Sequence, residues 1–339
     1  MTDNNDRHKD LDDLRNRVKA AKEHQGSMQE NFKQAEDTED IKKSLSSLPF
    51  INDEPTARKA LALLQDKQQD TSIRIMAMQK IVNIFINDEP YILTCLDVLK
   101  DRTNEPALRK VAMNTLRKMR FGSQRLNAMS AAYFDAMRTL LDDPDKELRA
   151  FAAETLALEK DEYVQRKLLE DISKPDQTIV PRAKAIQLLG YDIHAEQFPI
   201  VKKILQEESA TESEKIEAIH VLAKDPTSKD LLKDLMLDRK QDKEIRLTSA
   251  SALQAAQPET FINAAKEVVL NEKEDKGLRV LCLNGIMQNM DHKDLENDDD
   301  FLHRVSKLRT ISLSTELKKV SKRYVERMNL RKGKGNDKK

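Results

Sequence analysis

The sequence predicts an all-α fold, a right-handed α-solenoid of about seven helix pairs with capping helices at its N- and C-terminal ends. Three observations predict it. The hexapeptide FINDEP occurs twice, at Phe50–Pro55 and Phe85–Pro90, 35 residues apart. A basic anchor recurs at Arg74, Arg109, Arg149, Arg182, Lys215, Arg246 and Arg279, at intervals of 35, 40, 33, 33, 31 and 33 residues. Small and branched residues then follow every anchor in one register. Self-similarity at such a period marks stacked repeats, each burying its neighbour's apolar face.

Taken in order, residues 1–47 form a charged arm with sparse apolar positions, expected to be partly disordered or helical. Leu11, Leu14, Val18 and Ala21 sketch a weak helix, and Leu45 and Leu48 suit a helix that caps the first repeat. Residues 48–312 form the repeat array. Residues 313–339 form a closing helix and a basic tail, the helix marked by Leu313, Leu317, Val320 and Tyr324 at helical spacing.

Within the array, three residues after the anchors stand Ala77, Ala112, Ala152, Ala185, Ala218, Ser249 and Cys282, all small. Seven residues after them stand Ile81, Leu116, Leu156, Leu189, Leu222, Leu253 and Ile286. Offsets of three and seven share a helical face, so the small residue admits a neighbouring helix and the Leu or Ile fills the space beside it. Four residues before the anchors come Asp70, Glu105, Asp145, Thr178, Thr211, Asp242 and Asp275, mostly residue types that cap helix N-termini. A second helical segment precedes each cap, as in ARKALALLQD (57–66) and YILTCLDVLK (91–100). Pro55, Pro90 and Pro258 open such segments, where a missing N–H costs little. FINDEP is then a joint: Phe-Ile ends one helix, Asn-Asp turns, and Glu-Pro opens the next.

Helix pairs of about 33 residues, with Asp in the turn, Arg in the second helix, then Ala and Leu, resemble HEAT repeats over roughly residues 50–290. The stretch DPDKELRAFAAETLALEKD (143–161) is similar to a short bacterial-type unit. The resemblance implies a polar ladder between neighbouring units, here Asp70, Asp145, Asp242 and Asp275 with Arg74, Arg109, Arg149, Arg182, Arg246 and Arg279. Glu105, Thr178, Thr211 and Lys215 depart from that pattern and would interrupt it.

The 339 residues carry 59 bases and 59 acids, which argues against bulk attraction to nucleic acid or anionic membrane. Seven glycines and no tryptophan disfavour phosphate-cradling loops and turn-dense β architectures. No apolar run approaches the roughly 18 residues of a membrane span, and Cys95 and Cys282 read as core residues in a reduced compartment. A cytoplasmic protein is expected. No HExxH, Cys/His zinc spacing or nucleophile–base constellation occurs, so neither metal nor cofactor is expected. The run DHKDLENDDD (291–300) lacks EF-hand spacing and reads as helix-capping acids.

The 40-residue interval between Arg109 and Arg149 marks an insertion near RFGSQRLNA (120–128), beside a cluster of bases. Arg117, Lys118, Arg120, Phe121 and Arg125 are the candidate partner-binding residues, since exposed solenoid loops carry binding functions. From Lys318 to Lys339 there are ten bases and two acids, a weaker candidate for phosphate contact. The leading expectation is a non-enzymatic scaffold that binds protein or peptide partners along its surface. The alternative is an accessory enzyme of the HEAT-like lyase or chaperone type, acting on a modified protein or cofactor.

Overall fold

The computed structural model describes residues 3–173, 178–289, 298–312 and 314–336, and among them are nineteen α-helices and no strand. Leu313 of the expected closing helix and residues 291–297 of the acidic run lie outside the described residues. The chain divides into two compact units, Met1–Leu156 and Ala157–Lys339.

The first unit opens with α1 (Asp3–Gln34) and α2 (Thr38–Ser47). The arm is thus helical over most of its length, and Leu45 of α2 and its C-cap Leu48 are fully buried. Pairs follow: α3 (Glu54–Gln65) with α4 (Thr71–Ile81), then α5 (Glu89–Lys100) with α6 (Pro106–Met119). The insertion folds as a short α7 (Gln124–Ala128) before α8 (Ser130–Leu140), and α9 (Lys146–Leu158) carries the unit boundary. First helices pack on first helices (α1, α3, α5, α8) and second on second (α2, α4, α6).

In the second unit, α10 (Glu162–Ser173) pairs with α11 (Arg182–Leu189) and α12 (Phe198–Gln206) with α13 (Glu212–Leu222). Next come α14 (Lys229–Leu237) with α15 (Lys243–Ala256), and α16 (Pro258–Leu270) with α17 (Lys276–Gln288). A closing pair, α18 (Asp299–Ile311) and α19 (Thr315–Asn336), lays Leu317, Val320 and Tyr324 onto the stack. Second helices again stack in order from α11 through α13, α15 and α17 to α19.

Every small residue three after an anchor and every Leu or Ile seven after it is fully buried, at 0% exposure in all fourteen cases. Each such branched side chain contributes about 1.5–3 kcal/mol relative to exposure. This is why the register repeats: any polar residue on that face would be buried without a partner.

Both FINDEP copies are helix starts, and in each the aspartate is the cap. Asp53 accepts from the Thr56 N–H and Asp88 from the Tyr91 N–H, both at 2.9 Å, with Pro55 and Pro90 in the first turn. The phenylalanines differ. Phe85 is buried beneath the Arg58 guanidinium, 4.4 Å from the ring centre, whereas Phe50 is about half exposed. Neither Phe-Ile is helical, because α2 and α4 end three or four residues earlier. At α11 the cap is Pro181, not Thr178: its extended ψ of 139° delays the first helical residue to Arg182.

Candidate partner-binding surface

The anchor arginines are built into the protein. Arg74, Arg109, Arg182, Arg246 and Arg279 each donate Nε to the carbonyl ten residues earlier, those of Leu64, Leu99, Ile172, Met236 and Val269, at 2.8–3.0 Å. Those carbonyls end the first helix of the same pair, where the last turn has no internal donors. A guanidinium supplies the missing donor and a positive charge at the negative end of the helix dipole.

The outer nitrogens then reach the turn of the following pair. Arg74 donates to Asn104 (2.9 Å), Arg109 to both oxygens of Asp143 (3.2 and 2.5 Å), Arg182 to Glu207 (2.6 and 3.0 Å) and Arg246 to Glu274 (2.6 and 2.8 Å). Forked pairing of this kind matches guanidinium to carboxylate geometry. Arg182 holds the Glu207 carboxyl below its usual range, and Arg246 does the same to Glu274. Burial pushes Asp143 up, yet the hydrogen bonds from Arg109 and from the Asp145 N–H bring it below its ordinary value. Where nearby acids act only at a distance, desolvation wins: Arg74, bonded to neutral Asn104, is lowered despite Asp101 and Asp66, and Arg279 despite Glu272 and Glu274.

The turn aspartates do other work. Asp70 accepts from the Ser72 N–H, Asp145 from the Glu147 N–H and Asp275 from the Leu278 N–H, while Asp242 makes no side-chain cap bond. Asp145 and Asp275 also draw lysines of the preceding pair, Lys110 at 3.1 Å and Lys243 at 3.4 Å. Arg149 donates to the Asp143 and Pro144 carbonyls of its own turn. The ladder acids Asp143, Glu207 and Glu274 stand one or more residues before the caps, which is what the sequence reading missed. Asn104 and Glu274, each one residue before its cap, were the available signal.

The insertion presents a different arrangement. α6 ends at Met119, and Arg117 and Lys118 in its last turn complement the dipole there. Both are exposed, and no hydrogen bond or ion pair holds either among the described residues. Arg120 folds back over the rings of Tyr133 and Phe134, 5.2 and 5.5 Å from their centres, and donates to Asn127 Oδ1 at 2.7 Å. Arg125 pairs with the Glu89 carboxylate. Of these five residues, Phe121 alone is apolar, and it is 92% exposed.

The turn that lifts Phe121 is fixed by the second FINDEP copy. Asn87 Oδ1 accepts from Ser123 Oγ and from the Arg125 N–H, each at 3.2 Å. Ser123 caps α7 through the Leu126 N–H, and Leu126 is buried beneath. Gly122 passes so close to Ile86 that an added Cβ would meet its Cδ1 at 3.1 Å. Sequence alone showed the bases and the insertion but not this bracing from 36 residues away. Among the described residues, no group of His, Cys, Asp or Glu is placed to hold a metal ion, and no helix is long and apolar enough to cross a membrane.

No family model and no curated protein matches the chain. Among solved structures it is similar to a chain in "the complex of CpcE and CpcF of phycocyanin lyase" from Nostoc sp. PCC7120. That match has 18% identity over 83% of this chain and 97% of the other, with a TM-score of 0.35. The finding corrects one expectation. The expectation of a non-enzyme is withdrawn; the structure matched is that of a lyase complex.

Proposed function

We propose that the chain is a protein-binding accessory factor of the cytoplasm, docking a protein partner on the corner where α6 meets α7. The observation that carries this reading is Phe121, an aromatic ring held in water at the tip of a braced turn. Isolated exposed apolar residues are ordinary. A ring carried on a turn that Asn87, Ser123 and Leu126 brace, near the exposed Arg117 and Lys118, is an anchor on a fixed mount. Aromatic and arginine side chains are the types enriched in interface cores, and a rigid anchor loses little entropy on binding. The partner is a protein or peptide with an apolar pocket bordered by acidic groups. Phosphate contact through the basic residues from Lys318 onward is the weaker reading.

The test is direct. A photo-crosslinker at position 121 should capture the partner, and Phe121→Ala should then weaken that interaction at least about tenfold, as loss of a central anchor does. Unchanged affinity for the captured partner would dispose of the proposal. A second reading, an accessory enzyme of the lyase or chaperone kind that acts on the protein it holds, is supported by a recess of about 380 Å³ on which Glu162, Asp192, Arg166 and His194 converge.

A further inference from the structure

Four anchor arginines reach the turn of the following pair, and at three of them that turn supplies a carboxylate. Asp143 receives Arg109, Glu207 receives Arg182 and Glu274 receives Arg246, each through both outer nitrogens of the guanidinium. Arg74 is the exception. Its Nε donates to the Leu64 carbonyl at 3.0 Å and its Nη1 to Asn104 Oδ1 at 2.9 Å, but its Nη2 donates to nothing among the described residues. Asn104 has no second acceptor to offer, because its Nδ2 is held on the Val98 carbonyl at 3.2 Å. A neutral amide thus stands where the sister rungs place a charge.

Arg74 and Asn104 line a recess of about 610 Å³ where α3 and α5 end. Arg74 is only 6% exposed. Unlike the sealed, partnerless hydroxyls of Ser249, Ser321 and Tyr324, its Nη2 retains contact with solvent, and the recess is where Arg74 meets it. The other charges of the lining cancel in pairs, Lys67 with Asp101 at 2.8 Å and Lys100 with Asp97 at 3.3 Å. Arg74 forms no ion pair among the described residues, so this lining carries one positive charge without a counter-charge. Arg279, the other anchor without a forked acid, is in a different condition. Its recess is walled by Glu272 and Glu274 against Lys276 and Arg279, a balanced set, and its Nε and Nη2 both bond the Val269 carbonyl.

A nearly buried guanidinium is costly until an opposite charge meets it. Water satisfies an N–H but brings no charge. A carboxylate does both, in the geometry a guanidinium matches best. It is also the group that this chain itself sets on the same nitrogens in three other repeats.

We propose that the recess binds a monocarboxylate, a free small acid or the carboxylate of a peptide, on Nη2 of Arg74. The ligand supplies from outside the acid that the sister rungs carry within the chain. The site is separate from the Phe121 corner and does not rest on it.

The experiment uses the full chain with ¹⁵N-labelled arginine and follows the Arg74 side-chain N–H signal. The probes are sodium propionate and acetyl-alanyl-alanine, with propionamide and acetyl-alanyl-alanine amide as uncharged controls and sodium chloride at matched ionic strength. Saturable shifts with the two carboxylates are expected, at about millimolar affinity for so few atoms. The amides should bind at least about tenfold more weakly, having lost a charged hydrogen bond. Arg74→Met should abolish binding. Asn104→Asp should do the same with the arginine kept, since it seats an acid of the chain's own beside the guanidinium; its result stands whether or not Arg74→Met folds. Tighter binding of the dipeptide assigns the natural ligand to a peptide carboxylate, and equal or tighter binding of propionate to a small acid. No saturable response, an equal response to the amides, an equal response to chloride, or an undiminished response in Asn104→Asp would each overturn the proposal.

Discussion

α6 carries an arginine near each end, and the two residues have opposite fates. Arg109, in the first turn, is 3% exposed; it donates to the Leu99 carbonyl and forks onto Asp143. Arg120, at the far end, lies on the surface against two rings beside the exposed Phe121. Arg109 lies within α6 and Arg120 is its C-cap, eleven positions on. What separates them is the neighbour: the next pair's turn closes over Arg109, whereas Arg120 meets the inserted α7 through Asn127. The same guanidinium group welds one repeat to another at one end and, at the other, lies over two rings and bonds Asn127 of the insertion.

The sharpest break of this comparison is at Asp143. Truncating it by Asp143→Ala strands a buried guanidinium, which typically costs about 3–5 kcal/mol. Replacing both partners, Arg109→Met with Asp143→Leu, should recover much of that loss, because a well-packed apolar pair needs no counter-charge. Urea unfolding of the three chains measures both effects. A single variant as stable as the parent would show that the pair holds nothing together.

Next in size is Leu116→Ala, on the buried face midway between the two arginines. The cavity should lower stability by about 2–5 kcal/mol, read from the same transition. If Leu116 tolerated the change with no shift in midpoint, the register that defines the repeat would lose its energetic meaning.

Much of this was written in the sequence. The anchors, the small residues and the Leu/Ile rungs are local and periodic, so a helical wheel and a period of about 33 expose them. The second FINDEP copy was legible as a joint because Asp-Glu-Pro is a local cap signal. What escaped depends on distance in space. Asp143 looks no different from Asp145 in the chain, and only packing decides that one meets Arg109 while the other caps α9. Likewise the pairing of Arg125 with Glu89, 36 residues earlier, has no local signal.

A smaller effect, in pH, separates the acid-bearing rungs from the neutral one. Glu274 is held below the ordinary glutamate value of 4.5 by Arg246. The folded state therefore gains stability that is present above about pH 4.5 and fades as pH falls through the lowered folded value. Glu274→Gln should flatten that acidic limb, whereas Asn104→Ala, at the rung that has no acid, should leave its slope unchanged. Parallel slopes in the parent and Glu274→Gln, followed by chemical unfolding across the acidic range, would contradict the assignment.

The smallest effect on stability belongs to Phe121, and its smallness is informative. A ring 92% exposed buries almost nothing on folding, so Phe121→Ala should move stability by no more than about 0.5 kcal/mol. Breaking the nearby Arg125–Glu89 pair should cost about 0.2–1 kcal/mol, the worth of a surface ion pair. The contrast lies in binding. Phe121→Ala removes the anchor and leaves its mount intact, whereas Asn87→Ala leaves the ring and removes two hydrogen bonds from the mount. If preorganisation matters, Asn87→Ala should also weaken the partner, mainly by making binding pay for ordering the turn, and less than Phe121→Ala does. Calorimetric titration of both variants against the captured partner would show it. Equal losses would mean that the turn is rigid only in the complex, and that α6 presents a flexible end to its partner instead of a fixed one.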